Sequence, residues 1–477
     1  MAFDDSHDAV RTGPEIDAHR RELIEKDLRT LSLDGTLVLR GDPDWDVARQ
    51  AWHLSVDQQP VAVVRAGSEY DVVAVVDAAR RLDLRVAPQA TGHNADPLGS
   101  LAGTILLKTS ELREVSIDPE TEIARVEAGA RWQDVTEMAE RHGLAGLAGT
   151  ARDVGVVGYT IGGGLSWFVR SHGLAVNQVV AVELVTADGK LRRVDATHEP
   201  ELFWAIRGGG GSFGIVTALE FRLFPIEEVY AGVLVWPRDA AREVLHTWRE
   251  WTVTAPEEIT SIARLFSFPP LPEVPEPLRG REVVMFEATS QLPKDQTDEL
   301  LAPLRALAPE IDTFAVTKPS DLWTLHMDPE HPVPGTGEGA LLSDLTAAAI
   351  DAIVDNARPE LVTVELRHLG GVTARSGPEL GAVSAFAASY ALFTGGLALD
   401  EQGAAATHQA IDRLLEAVTG WLAEVGYQGF VGSPIPGDVM FGPDVYHRLQ
   451  EIKDEYDPGN LIHANHSIEP GFGLHAN

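Results

Sequence analysis

His93 lies in PQATGHN (88–94), a Thr-Gly-His-Asn turn that follows an apolar stretch. A loop that only reverses the chain has little use for an imidazole there; a loop that holds a ligand does. Two glycine clusters add to this, GVVGYTIGGGLSW (155–167) and RGGGGSFGIVT (207–217). Glycine lets the backbone adopt positive φ and come close to a ligand, and successive amides in such turns form nests for anions. Gly209, Gly211 and Gly214 match G-x-G-x-x-G. The dinucleotide reading of that pattern needs a strand before it and a helix after it. Here a helical stretch, 201–207, precedes it and a strand-like stretch, 215–225, follows, so the pattern is not that fingerprint. His463 and His466 show H-x-x-H spacing and read as loop residues rather than a metal site, and no metal is expected.

The elements that must position these residues fall into two groups. Up to residue 225, short apolar strands (61–65, 85–88, 104–110, 124–130, 179–189, 215–225) alternate with helices at 71–84, 132–144 and 201–207. From 229 onward the strands are longer: 229–237, 281–291, 362–371 and 385–393, with helices at 238–252 and 400–425 and a proline-rich surface loop at 268–280. The pattern predicts an α+β fold: a first unit over 1–225 and, beyond it, a second with a largely antiparallel sheet covered by helices. Side chains alternate across a strand. In 362–371 this sets Val362, Val364, Leu366 and His368 on one face and Thr363, Glu365 and Arg367 on the other, leaving Glu365 and Arg367 as candidates to meet a substrate.

The 477 residues carry a net charge of −34 and 44% hydrophobic residues. So acidic a surface repels nucleic acid and anionic membranes. No apolar run reaches the roughly 18 residues of a membrane-crossing helix. There is no cysteine, which excludes disulfides, thiolate metal sites and cysteine nucleophiles. The N-terminus is acidic and polar, without the basic and apolar regions of a secretory signal. A cytoplasmic protein with a small-molecule substrate is expected; the oligomeric state is left open.

PQATGHN, VGVVGYTIGGG, FWAIRGGGGSFGIVT and YDPGNLIHANHSI occur in the order and approximate spacing of the berberine-bridge-enzyme-like FAD-linked oxidases. The chain resembles that family, part of the vanillyl-alcohol-oxidase superfamily, over about residues 57–225 and 427–470. The resemblance implies a two-subdomain PCMH-type FAD-binding domain, completed by the C-terminal segment, with a substrate domain inserted between. It implies FAD held by Gln89, Ala90, Thr91, Gly92, His93 and Asn94, by Thr150, Asp153, Gly155, Gly158 and Tyr159, by Gly162, Gly163 and Gly164, by Gly214, Ile215 and Val216, and by Asn465. His93 would be joined to the flavin 8-methyl carbon. Members often attach flavin a second time through a cysteine; Ala151 stands at that position, so attachment through His93 alone is expected. Gln89 replaces a usual arginine, Thr91 a glycine and Tyr159 a histidine. The base is often the tyrosine of a Tyr-x-Asn-(Tyr/Phe) segment, which here reads Tyr427-Gln428-Gly429-Phe430, with Tyr390 and Glu365 as further candidates. The implied reaction moves a hydride from the C–H bond of an alcohol, sugar or secondary metabolite to flavin N5, with O2 or another electron acceptor. An oxidase, a dehydrogenase with poor O2 reactivity and a silent flavin-binding protein all satisfy these residues.

Overall fold

The computed structural model describes residues 16–471 except 271, 273 and 378; the expectation for the extreme N-terminus and two positions of the proline-rich loop lie outside the described residues. Three sheets carry the fold. The first has four strands in the order Thr36–Leu39, Ala62–Arg65, Thr104–Lys108, Arg85–Gln89. The last three run parallel, as a β-helix-β crossover requires. The crossover helix, Glu69–Leu82, starts where the Ser68 hydroxyl accepts the Asp71 N–H and ends at Asp83 in a left-handed conformation. Val72, Val75, Val76 and Ala79 recur at helical spacing and are buried against the sheet. Asp71 accepts the backbone N–H groups of Asp34, Gly35 and Gly67, each at 2.8 Å. The C-terminal segment reaches back to this sheet, where Val86 pairs with Ile462.

The second sheet is antiparallel, in the order Val115–Asp118, Ile123–Glu127, Ile215–Arg222, Val179–Val185, Leu191–Asp195. The glycine-rich 207–217 stretch leads into it. The helix Pro200–Gly209 kinks at Arg207 and Gly208, a 3-10 turn follows over Gly210–Phe213, and the strand Ile215–Arg222 begins. Helix before glycines and strand after is the order expected from the sequence.

The third sheet has eight strands. Its main path is Ile311–Asp312, Val229–Pro237, Glu282–Ser290, Ile259–Ser267, Thr363–His368, Tyr390–Leu397, Gly335–Leu342, all antiparallel. Helices Ala241–Thr252, Lys294–Arg305, Ala347–Asn356 and Glu401–Val418 bury one face, in a core with Trp236, Trp248, Val364 and Leu366. The α+β class and the helix-covered antiparallel sheet are as expected. Four of its strands were not read from the sequence: Ile259–Ser267, Gly335–Leu342 and the short Ile311–Asp312 and Ala315–Thr317. The strand expected at 385–393 begins only at Tyr390 and runs to Leu397. No described helix is long and apolar enough to cross a membrane.

Candidate active site

A cavity of about 550 Å3 lies between the glycine-rich loops and the uncovered face of the eight-stranded sheet. That volume suits a bound cofactor with a small substrate. On the loop side it is lined by residues 89–94, Thr150, Gly155, Gly158, Tyr159, Gly162, Gly214, Val216 and Asn465. On the sheet side it is lined by Arg264, Phe266, Glu365, Arg367 and Phe393, and by His326 and Asp328 from a connecting segment. Tyr427, Gln428, Gly429 and Phe430 close the junction.

The strand Thr363–His368 turns its faces as alternation predicts. Val364 and Leu366 pack under the helices, while Thr363, Glu365 and Arg367 face the cavity. Five expected residues do not line it. Tyr390 points to the helix side, where its hydroxyl meets Thr252 Oγ1 at 2.5 Å and its ring lies against Trp248; this removes it as a candidate base. Its parity along Tyr390–Leu397 is the reason, since Phe393 and Gly395 take the cavity face. Ile215 is buried in the core of the first sheet. Gly163 and Gly164 serve tyrosines rather than the cavity. Gly163 has φ +122°, and a Cβ there would lie 2.8 Å from the Tyr427 ring; one on Gly164 would lie 2.8 Å from the Tyr159 ring. Asp153 lies behind the lining, where it accepts Trp52 Nε1–H at 2.7 Å.

The loop of residues 89–94 is stitched to the C-terminal segment. Asn94 Nδ2 donates to the Gln428 carbonyl at 2.9 Å, and Asn465 Nδ2 reaches the Asn94 carbonyl at 3.5 Å. Gln89, which stands in place of an arginine, accepts from Lys108 Nζ; burial draws that lysine's pKa down to about 8. Gly158 has open space where a Cβ would be, and Gly211 meets only Ala464, at 3.9 Å. The cradle is thus shaped for a flat, extended group running along bare backbone, which FAD fits. His93 stacks on Trp52 with ring centroids 4.3 Å apart. Its Nε2 is buried and lacks a hydrogen bond, and burial lowers its pKa, so the ring is neutral.

The substrate side carries a buried chain of charges. Arg264 pairs with Glu287 at 2.8 Å, and His326 Nδ1–H donates to Glu287 at 2.6 Å. His326 Nε2–H donates to Glu365 at 3.0 Å, and Glu365 accepts from Arg367 Nε. Burial and Arg264 push His326 down, but Glu287, Asp328 and Glu365 outweigh them and raise it to about 9. Burial likewise pushes Glu365 up, and Arg367 and His326 overcome it, holding the carboxyl well below the usual range. Three cations thus face Glu287, Glu365 and Asp328, which is how so many charges stay buried together. Asp328 also accepts the Thr150 hydroxyl at 2.8 Å, tying the two cavity walls. Arg264, His326, Asp328 and Trp52 were missed in the sequence. A lone arginine in the apolar run ITSIARLFS is a readable signal for the first; WTLHMDP offers none for His326 or Asp328.

The FAD binding domain family matches residues 60–195 and the berberine and berberine-like family matches residues 429–469. An uncharacterized FAD-linked oxidoreductase, YgaK of Bacillus subtilis, is 27% identical over 457 residues, covering 92% of this chain and 97% of that one. The (R)-6-hydroxynicotine oxidase of Paenarthrobacter nicotinovorans is 26% identical over 476 residues, covering 92% and 98%. The solved structure of Physcomitrella patens BBE-like 1 shares the fold, with a TM-score of 0.81 at 20% identity over 93% of this chain and 98% of its own. With an FAD binding domain and a berberine-like segment matched at the loops that wall the cavity, and relatives that span nearly its whole length, the chain is an FAD-linked oxidoreductase similar to the berberine-bridge-enzyme-like proteins.

Proposed function

We propose that the protein is an oxidase of small molecules, using FAD joined through His93, Tyr427 as base and O2 as acceptor. In this reading residues 1–225 and 427–477 hold the cofactor, and 226–426 is an inserted substrate unit. FAD, when bound, accepts a hydride and passes two electrons to oxygen. The observation that carries the reading is one cavity walled both by the glycine-rich loops and by the polar face of the substrate sheet, with Tyr427 where the walls meet.

Tyr427 takes the proton of an O–H or N–H beside the oxidised C–H. Its ring is fixed by Phe386 and Phe430 at centroid distances of 5.7 and 5.1 Å. Burial raises its pKa, and Arg367 with the backbone N–H groups of Leu165 and Gly164 offsets part of that. To accept that proton the phenol must first be ionised, a form that Arg367 and the two backbone donors favour and burial opposes. Glu365 is spent in its ion pairs with His326 and Arg367, so its part is to orient Arg367 and keep that face of the cavity electrically balanced. Phe266, Phe393 and Phe430 favour a substrate with an apolar or ring-shaped body. The relative named as a hydroxynicotine oxidase supports both the ring-bearing substrate and the acceptor.

The test is an anaerobic screen of alcohols, sugars and cyclic amines for bleaching of the flavin absorbance, followed by oxygen uptake against dye reduction for each hit. Hits that turn over with oxygen are expected. No bleaching by any compound would sink the reading, and bleaching with dye turnover alone would make the enzyme a dehydrogenase.

A further inference from the structure

His93 is held on three sides. Trp52 stacks on its ring at an interplanar angle of 22°. The Thr91 hydroxyl lies 2.8 Å from Nδ1. Nε2 is buried without a hydrogen bond, and its nearest charged neighbour is Asp153 Oδ1 at 3.5 Å. The other carboxylate oxygen of Asp153 is anchored by Trp52 Nε1–H at 2.7 Å, so one tryptophan orders both partners. The segment that carries Asp153 is itself fixed. The Val154 carbonyl accepts Trp132 N–H at 3.0 Å and the Arg152 carbonyl accepts Gln133 N–H at 2.8 Å. A Cβ on Gly155 would lie 3.2 Å from Ala90 Cβ, so this segment packs directly on the His93 loop. The other titratable groups acting on His93 are His53, itself paired with Asp96 at 3.2 Å, and Asp328.

We propose that Asp153, anchored by Trp52, is the positioning residue that presents Nδ1 of His93 for bonding to the flavin and stabilises the charge that bonding creates. This rests on the reading that FAD is attached through His93. A neutral imidazole has one N–H, and a carboxylate only accepts. Asp153 Oδ1, 3.5 Å away, is the acceptor that a proton on Nε2 faces, and that tautomer leaves the lone pair on Nδ1 beside the Thr91 hydroxyl. Orientation of an imidazole by a carboxylate behind it is the same device that fixes liganding and catalytic histidines elsewhere.

In the bonding step the Nδ1 lone pair forms the N–C bond to the 8-methyl carbon. That carbon gives up one hydrogen as a proton, and the electron pair of the broken C–H bond stays on the flavin ring system, now reduced by two electrons. The imidazole becomes cationic as the bond forms, with Asp153 beside its Nε2–H. Dioxygen then takes the two electrons as hydrogen peroxide. Its two protons are those released by the methyl group and by Nε2, so the ring returns neutral and the flavin oxidised.

The experiment compares wild type, H93A, D153N and W52F, each produced in riboflavin-limited cells and then given FAD in air. Two quantities are read: non-covalent FAD affinity, from quenching of flavin fluorescence, and the rate at which intact protein gains the mass of one FAD less two hydrogens. Wild type is expected to gain that mass and H93A not. D153N should bind FAD within about threefold of wild type and attach it roughly 10–100-fold more slowly, the usual cost of losing the partner behind a working histidine. W52F keeps the stacking and loses the N–H to Asp153, so its rate should fall between the two. Formate should restore part of the rate to D153A. Attachment by D153N as fast as wild type would overturn the proposal, as would a D153N that no longer binds FAD, since Asp153 would then act in binding. A wild type that gains no mass removes the attachment reading and this inference with it, whereas matched rates in wild type and D153N remove the inference alone.

Discussion

The Tyr427 hydroxyl accepts the backbone N–H of Leu165 at 3.2 Å, across 262 residues of sequence. The bond joins the C-terminal segment to the residue that follows the Gly162–Gly164 turn. An N–H donated to the phenol oxygen stabilises its charged form, as does Arg367, while burial opposes both.

Replacing Tyr427 with Phe removes that oxygen and keeps the ring among Phe386, Phe430 and Gly163. The flavin spectrum and melting temperature should change little. Flavin reduction in anaerobic stopped flow should slow by roughly 10²–10⁴, the range for loss of a general base. Because the phenol pKa is raised, the wild-type rate should climb as pH rises above neutrality, and the variant's should stay flat. A rate within about threefold of wild type would clear Tyr427 of the role.

The turn beside it makes a second, separable prediction. A Cβ on Gly163 would meet the Tyr427 ring at 2.8 Å with φ at +122°, whereas one on Gly280 has only Pro270 at 3.6 Å with φ +69°. Both substitutions to Val strain the backbone. Gly163→Val alone should displace Tyr427, lowering the reduction rate well below that of Gly280→Val while much of the FAD binding survives. Equal reduction rates in the two variants would count against the contact.

His326 ties stability to pH. Its pKa stands at about 9 in the folded chain, above an unfolded value near 6.5. A group raised in this direction stabilises fully below the unfolded value, and the contribution is lost as pH rises through the folded one. Unfolding free energy should therefore fall between about pH 6.5 and 9 by up to about 3 kcal/mol from this group. His326→Gln should be less stable than wild type at pH 6 and should lose much less on going to pH 9.5. Parallel curves for the two proteins would show that His326 is not the source.

Glu365 tests the charge balance from the other side. Glu365→Gln leaves His326 and Arg367 facing one carboxylate fewer in a buried site, and breaking such a network costs roughly 3–5 kcal/mol. Chemical denaturation should show that loss at pH 7. It should also lower the pKa of His326, which NMR titration of the imidazole would report. An unchanged midpoint and an unchanged titration together would place Glu365 outside the network.

The cofactor-binding half was legible because its chemistry is local. Gly92, Gly155, Gly158 and Gly214 are needed where the backbone itself forms the wall, and their spacing survives in a single sequence. The same holds for His93 in its turn, and for the parity of Thr363, Glu365 and Arg367, since a strand alternates wherever it is placed. The strand Gly335–Leu342 was unreadable because GTGEGALL holds three glycines and a single β-branched side chain, Thr336; its neighbour Tyr390–Leu397 imposes the extended form through its register. What only the tertiary structure decided is which distant residues meet. Asp153 faces His93, and the strand Ile259–Ser267 brings Arg264 beside Glu287 and His326. Gly163 and Gly164 close on Tyr427 and Tyr159 rather than on the cofactor space. None of these follows from spacing along the chain, because each contact is fixed by the packing of one sheet or loop against another, and burial and charge act on pairs that the sequence keeps tens to hundreds of residues apart.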